Sequence, residues 1–379
     1  MEVGIAQLIA SFGYPGITDQ QVYAEELQVA MLGEELGYDH LFCVEHHFED
    51  YSFCPDNFVY LAHVAAKTKR IKLATGAVIL PWNAQPLRVA EKASLLDTLS
   101  GGRAILGIGR GLSRREFEPM GIPMEESRER FDEAAPMILE ALETGVMEAH
   151  HGRFYQQPRA VLRPRPFKTF RDRTTQVAMS ADSALVAAQL GAQMMAFNYK
   201  TPEAMKADID LYRGEFRRVH QREPRPVLLT EMSICDTDPA RARRHAEQYV
   251  ATYLHSVLHH YEMMGDHFKD AKGYETYAVG AEALRAASME DRAKAYIEGQ
   301  IWGTPDQMLR RYEERRQFMG DTGALFIFRF GGAPMEVVER SMRLIGKEVL
   351  PVLKSWTAPA LPFKGSESSV PGLLSAESV

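Results

Sequence analysis

Apolar positions fall into short runs separated by stretches with helical spacing, and the two patterns alternate along nearly the whole chain. Val3 to Leu8 is such a run, and after a Gly/Pro loop Thr18-Asp19-Gln20-Gln21 offers a capping box for a helix ending near Gly37. His40 to Val44 gives a second strand, followed by a helix over Pro55 to Lys67 that carries Phe58, Leu61, Ala62, Ala65 and Ala66. Ile71 to Leu80 reads as a nearly unbroken strand stopped by Pro81, and Pro86 opens a helix through Leu99. Ala104 to Gly109 is the fourth strand and Ser127 to Glu143 its helix. The loop between them, Leu112 to Glu126, is longer than a typical connection of this kind, which marks it as serving a site.

His150 to Arg173 breaks the rhythm with prolines and basic residues and reads as an excursion outside the core. The alternation resumes with Thr175 to Met179, a helix from about Asp182 to Leu190, a strand at Ala192 to Phe197, and a helix opened by Thr201-Pro202-Glu203. Val227 to Cys235 is the seventh strand, and Asp238-Pro239 caps the next helix. From Tyr253 to about Gln300 the chain is rich in histidine, methionine and tyrosine; residues 263–300 read as a lid or, equally simply, as a helical insertion. Thr304-Pro305-Asp306-Gln307 starts a helix to about Phe318, Ala324 to Phe330 is the eighth strand, and Pro334 begins a last helix to about Leu350. Eight strands alternating with helices predict an α/β fold, a (β/α)8 TIM barrel over residues 1–357 with insertions near 150–173 and 263–300, and a loose tail over 358–379.

Composition narrows the function. With 379 residues, 45% hydrophobic and 25% charged, the chain reads as a soluble globular protein with a sizeable core. A net charge of -7 with interspersed basic residues argues against a nucleic-acid partner. Three cysteines without CxxC spacing support neither a disulfide framework nor a cysteine zinc site and fit a reducing cytoplasm. A signal sequence and an apolar run of roughly 18 residues are both missing, so neither secretion nor a membrane span is expected.

The candidate chemistry starts where the second strand stops, at Glu45-His46-His47, since a parallel barrel keeps its active site at the C-terminal ends of its strands. Alternation sends His46 and His47 to opposite faces, so at most one of them works directly on a small ligand. Gly107-Ile108-Gly109-Arg110-Gly111 fails as a dinucleotide fingerprint because Leu112 holds the sixth position; what remains is a glycine-flanked arginine suited to a phosphate. Ser180 and Ser183 add hydroxyls at a helix start, completing a monophosphate cradle; an ordinary ion pair and plain helix caps are the alternative for each residue. HxH, HExxH and GxSxG patterns are all missing, so neither a metal nor a serine nucleophile is expected.

Taken together, Glu45-His46-His47-Phe48, Ala77-Val78-Ile79-Leu80-Pro81, Gln85 to Glu91 with Leu95-Leu96-Asp97, Gly102-Arg103, Gly107 to Leu112, Ser127-Arg128 and Gly303-Thr304-Pro305 resemble, in this order, the bacterial luciferase-like flavin monooxygenases. The resemblance runs from Val3 to about Leu353. It implies a barrel that takes reduced FMN from a separate reductase, reacts it with O2 to a flavin C4a-peroxide, and hydroxylates, epoxidises or performs a Baeyer-Villiger insertion on a small apolar organic substrate. It places the acid/base histidine on His46, supported by Glu45 and His47. The phosphate-binding arginines fall on Arg110 and Arg128, the phosphate-binding hydroxyls on Ser180 and Ser183, and a non-proline cis peptide beneath the flavin on Gly76-Ala77. Family members pair through helices matching 55–67 and 86–99, so a homodimer is expected. Two positions depart from the luciferases: Gly109 stands where they carry cysteine, and Met179 where they carry glutamate before the phosphate serine. Both changes bring light emission and long-chain aldehyde use into question. The rival readings are a deazaflavin-dependent hydride-transfer oxidoreductase, a non-catalytic flavin-binding protein and a metal-dependent hydrolase.

Overall fold

In the computed structural model, which describes residues 1–14, 16–269 and 273–356, eight parallel strands close into a barrel wrapped by helices. The strands are β1 Val3–Gln7, β2 His40–Cys43, β3 Lys72–Thr75, β4 Ala104–Gly109, β5 Thr174–Val177, β6 Gln193–Phe197, β7 Val227–Met232 and β8 Thr322–Ile327. Each pairs with its neighbour in sequence, and β8 returns to β1 with Ala324 opposite Val3, which completes the ring. Residues of β1, β2, β4, β7 and β8 are buried throughout, as expected of parallel strands covered on the outside by helices and filled inside by side chains. The fold is therefore the predicted TIM barrel.

Helices begin where the sequence signals them. Thr18 and Thr304 form capping boxes with Gln21 and Gln307 for α1 (Asp19–Leu36) and α10 (Pro305–Met319), and Gly37 closes α1 in the left-handed region at φ 85°. Between these lie α2 Asn57–Lys67, α3 Pro86–Leu99, α4 Ser127–Thr144, α5 Ala181–Gln189, α6 Pro202–His220, α7 Pro239–His260, α8 Glu275–Ala286 and α9 Met289–Gly299. The last helix, α11 Met335–Leu344, continues through a wider π turn at 345–349 into α12 Leu350–Ser355.

Three expectations change in detail. The third strand is not continuous: it stops at Thr75, the Gly76-Ala77 peptide is cis, and Val78–Ile79 then pairs with the end of β4. The break is held by side chains, since the Asn57 amide donates to the carbonyls of Cys43 and Ala77 at 3.1 Å each, and the Thr75 hydroxyl bridges the backbone of Gly107. The excursion begins at Val146, earlier than predicted, and consists of two short antiparallel pairs, 146–147 with 160–161 and 150–151 with 156–157. Of the described residues in the 253–300 region, those to His260 complete α7, Glu275–Ala286 form α8 and Met289–Gly299 form α9, with turns over 261–269. The predicted tail over 358–379 lies outside the described residues, among which no helix is long and apolar enough to cross a membrane.

Candidate active site

The C-terminal ends of β2, β3 and β4 open on one side of the barrel, and the chain's candidate chemistry gathers there. Beyond Cys43 the backbone leaves β2, so strict strand alternation no longer applies, yet the two histidines still take different partners. His47 Nε2 lies 3.3 Å from Glu45 Oε1, and Glu45 is fixed by the Ile79 N–H at 3.0 Å and the Trp82 indole N–H at 2.6 Å. Glu45 therefore serves His47 and not His46. The acid at His46 comes from a one-turn helix, Arg114–Phe117, inside the 112–126 connection predicted as a loop: Glu116 Oε1 is 2.9 Å from His46 Nδ1 and also accepts the His47 backbone N–H at 2.8 Å.

A chain of polar groups continues from there. Glu116 Oε2 lies 3.7 Å from His260 Nε2, His260 Nδ1 lies 2.7 Å from Glu49 Oε2, and Arg115 donates to Glu49 Oε1 at 2.7 Å. Tyr51 stacks on the His260 ring at 4.4 Å, and the Tyr261 hydroxyl meets His46 Nε2 at 3.2 Å. The loop is pinned to the end of α7 by a hydrogen bond from the Ser113 hydroxyl to the His260 carbonyl. Burial alone would raise the Glu116 carboxyl, but the imidazoles of His46 and His260 hold it well below the usual carboxylate range. An ionised carboxylate only accepts, so its bond to His46 assigns the proton to Nδ1 and leaves Nε2 as the atom that exchanges one. Burial, followed by the nearby Glu116, pushes the Tyr261 phenol well up, which keeps it a donor toward Nε2.

The second group of residues lies at the end of β4. Arg110 donates to the Gly273 carbonyl at 2.8 Å, its guanidinium sits 4.1 Å above the Tyr274 ring, and its NH1 nitrogen is buried without a hydrogen-bond partner among the described residues. Arg128, in the first turn of α4, likewise keeps a buried NH2 nitrogen without a hydrogen-bond partner among the described residues; burial first, and then the charge of Arg110, lowers its proton affinity. Tyr274 is held by the Gly111 carbonyl at 2.8 Å and the Ser127 hydroxyl at 2.9 Å. Ser180 caps α5, accepting the Ser183 N–H at 3.3 Å, and the two hydroxyls lie 3.0 Å apart. Met179 turns its sulfur to the Phe197 N–H at 3.1 Å. Gly109 permits close packing: a Cβ there would lie 3.1 Å from the Ala77 Cβ and 2.9 Å from Ile79 Cδ1.

Two guanidinium groups with N–H donors unpartnered among the described residues, Arg128 feeling the charge of Asp182 in the first turn of α5, fit the phosphate of a flavin mononucleotide, with Gly109 packed against Ala77 next to Arg110 in the chain. Phe268, Tyr274 and Tyr277 cover this region, packing with Phe117, Met124 and Trp82. The sequence marked the 112–126 loop by its length but did not single out Glu116 within it, and gave no sign of His260 or Tyr261, which reach the site from the far end of α7.

Residues 1–322 match the model of the luciferase-like monooxygenase family. The alkanal monooxygenase alpha chain of Photobacterium leiognathi is 25% identical over 357 residues, covering 92% of this chain and 99% of that one. Among solved structures, a monooxygenase from Streptomyces bottropensis is 28% identical with a TM-score of 0.76, covering 93% of this chain and 99% of that one. The oxygenating constituent of 3,6-diketocamphane monooxygenase from Pseudomonas putida, a type II Baeyer-Villiger enzyme in complex with FMN, shares the fold at a TM-score of 0.73 with 17% identity, covering 93% and 98% of the two chains.

Proposed function

The chain belongs to the luciferase-like monooxygenase family, and from that premise we propose that it is the oxygenase of a two-component system, taking reduced FMN from a separate reductase and O2 to oxidise a small apolar organic molecule. The observation that carries this reading is the pair of buried guanidinium nitrogens on Arg110 and Arg128 that have no hydrogen-bond partner among the described residues. Bound reduced FMN supplies activation of O2 for transfer of one oxygen atom, by hydroxylation, epoxidation or Baeyer-Villiger insertion. The chain's own residues bind and orient it: Arg110 and Arg128 take the phosphate, assisted by Ser180, Ser183 and the α5 N-terminus, while Gly76, Ala77 and Gly109 give the ring a close-fitting surface with Met179 at its edge.

His46 Nε2 then gives or takes the proton that the oxygen transfer requires. Glu116 stabilises the charged imidazole and fixes its orientation, and His260 and Glu49 extend the polar chain toward Arg115, whose side chain is 34% exposed. Glu45 and His47 hold the adjoining wall. Tyr51, Tyr199, Tyr253 and Tyr296 form a linked aromatic surface, with Tyr253 hydroxyl contacts of 3.3 Å to Tyr51 and 2.9 Å to Tyr199 and with Tyr199 stacked on Tyr296 at 5.2 Å; such a surface suits an apolar substrate. A cytoplasmic location and pairing into a homodimer belong to the same reading, with neither nucleic acid nor membrane as partner.

The test is oxygen uptake with reduced FMN and a flavin reductase, with candidate substrates screened for a gain of one oxygen atom by mass. Arg110→Ala is expected to weaken reduced-FMN affinity by roughly 1.5–3 kcal/mol, the worth of a hydrogen bond to a charged group. Unchanged affinity in that variant overturns the phosphate site. Hydride transfer without oxygen uptake would replace the oxygenase with a deazaflavin-dependent oxidoreductase.

A further inference from the structure

We propose that His46 Nδ1, the Glu116 carboxylate and His260 Nε2 form a binding site for a zinc-class divalent transition-metal ion, and that the bound ion prevents His46 Nε2 from accepting a proton. The donors come from three separate segments: the exit of β2, the 112–126 loop and the last turn of α7. Their ligand atoms all lie within 4.8 Å of one another. This is the convergence that the sequence does not reveal, because 46, 116 and 260 share no local motif.

Two further observations point to a cation. His260 is wholly buried, and among the described residues its Nε2 has no hydrogen-bond partner although it is directed at the cluster. In addition, each imidazole is oriented through its other nitrogen, His260 by Glu49 at 2.7 Å and His46 by the Tyr261 hydroxyl at 3.2 Å. An outer carboxylate or hydroxyl that fixes the ring of a ligating histidine is the usual support of a metal site.

The geometry is close to what an ion requires. Donors about 2.0–2.1 Å from a tetrahedral ion stand roughly 3.2–3.5 Å apart; here His46 Nδ1 is 2.9 Å from Glu116 Oε1, His260 Nε2 is 3.7 Å from Glu116 Oε2, and one donor from each of the three residues lies within 4.8 Å of the other two. Small side-chain adjustments bring the third pair in. Two imidazoles and one carboxylate select zinc, cobalt or nickel over magnesium or calcium, which prefer oxygen alone. The His46 side chain retains 12% exposure, which leaves a path for entry and an open coordination position.

Coordination removes the proton from Nδ1. The proton moves to Nε2, where Tyr261 changes from donor to acceptor, and the atom that would accept a proton in turnover is then already occupied. Only this consequence rests on the oxygenase reading; the binding claim stands on the donor set.

The experiment uses the full chain, stripped with a chelator and titrated with Zn2+ against a chromophoric competitor. One equivalent per chain is expected, with affinity falling by about tenfold or more in His260→Gln and in Glu116→Gln and unchanged in His151→Gln, an exposed histidine of the excursion. Should either variant fail to fold, Co2+ added to the unaltered protein gives the second measurement: intense visible bands of a low-coordinate histidine site, abolished by Zn2+, are expected. The proposal is overturned by the lack of a stoichiometric site, by equal affinity in folded His260→Gln, or by weak bands of fully hydrated cobalt. A negative result leaves the oxygenase reading standing, whereas a metal-free protein without oxygen uptake defeats that reading and not this one.

Discussion

His46 sits between an acceptor on Nδ1 and a donor on Nε2, and that arrangement makes it a proton-transfer group of defined orientation. His46→Ala is expected to leave flavin affinity nearly intact while lowering turnover by about 10²–10⁴, the usual worth of a positioned acid or base; stopped-flow oxidation and product yield measure this. Glu116 acts through His46, so Glu116→Gln should move the pH profile of turnover as well as its rate, whereas a purely structural role would alter the rate alone. A second histidine has a different fate. His40 is buried at the opposite end of β2 with neither ring nitrogen partnered, and burial lowers its pKa from 6.5 to about 4. The unfolded chain therefore binds a proton that the folded chain refuses between these values. This residue's contribution is full above about pH 6.5, is lost as pH falls from there to about 4, by on the order of 3 kcal/mol, and changes no further below that. Urea unfolding of His40→Leu between pH 4 and 7 is expected to show a shallower acid-side loss than the parent chain. Arg110 was legible in the sequence because glycines flank it at a strand end. Glu116 was not, because a lone acid in a loop carries no pattern until its partners are seen.

At the scale of elements, the helices and their caps were legible because their signals are local. α3 opens at Pro86 and ends at Leu99 as read, and the capping boxes at Thr18 and Thr304 both formed. Thr304→Ala should cost about 1 kcal/mol in chemical denaturation, the typical worth of a lost N-cap. The interruption of the third strand could not be read from apolar periodicity, since Ile71 to Leu80 is apolar on both sides of the break and the cause is the distant Asn57 amide. The 263–300 segment was ambiguous for a related reason. Its helices carry few buried residues of their own, and its contacts reach across sequence to Phe117 and Met124. As a cover over the flavin site, it should be cut by trypsin at Lys269 and Arg285, whose side chains are 49% and 36% exposed, in the free protein and protected once reduced flavin and substrate bind. Lys272, between them in sequence, offers trypsin a further site and lies outside the described residues. Slow cutting in both states would identify the segment as a fixed part of the wall and move substrate selection to the 112–126 loop.

For the whole molecule, the barrel accounts for the inward-facing apolar positions but leaves others on the outside. Val59 on α2 and Leu95 and Leu99 on α3 are 67%, 47% and 60% exposed on two helices that pack side by side. A two-fold pair burying this face is expected, and light scattering at micromolar concentration should give twice the chain mass; Leu99→Glu should return it to the single-chain mass. The loop that serves the site also joins two parts of it through adjacent residues. Glu116 holds both histidines, while Phe117 packs into the aromatic cluster that covers the Arg110 site. One peptide bond therefore ties the state of the cover to the aim of the acid. A displacement of Phe117 is expected to carry Glu116 with it, and with Glu116 the aim of His46, so that Phe117→Ala should lower turnover in steady-state assays even though Phe117 touches neither histidine.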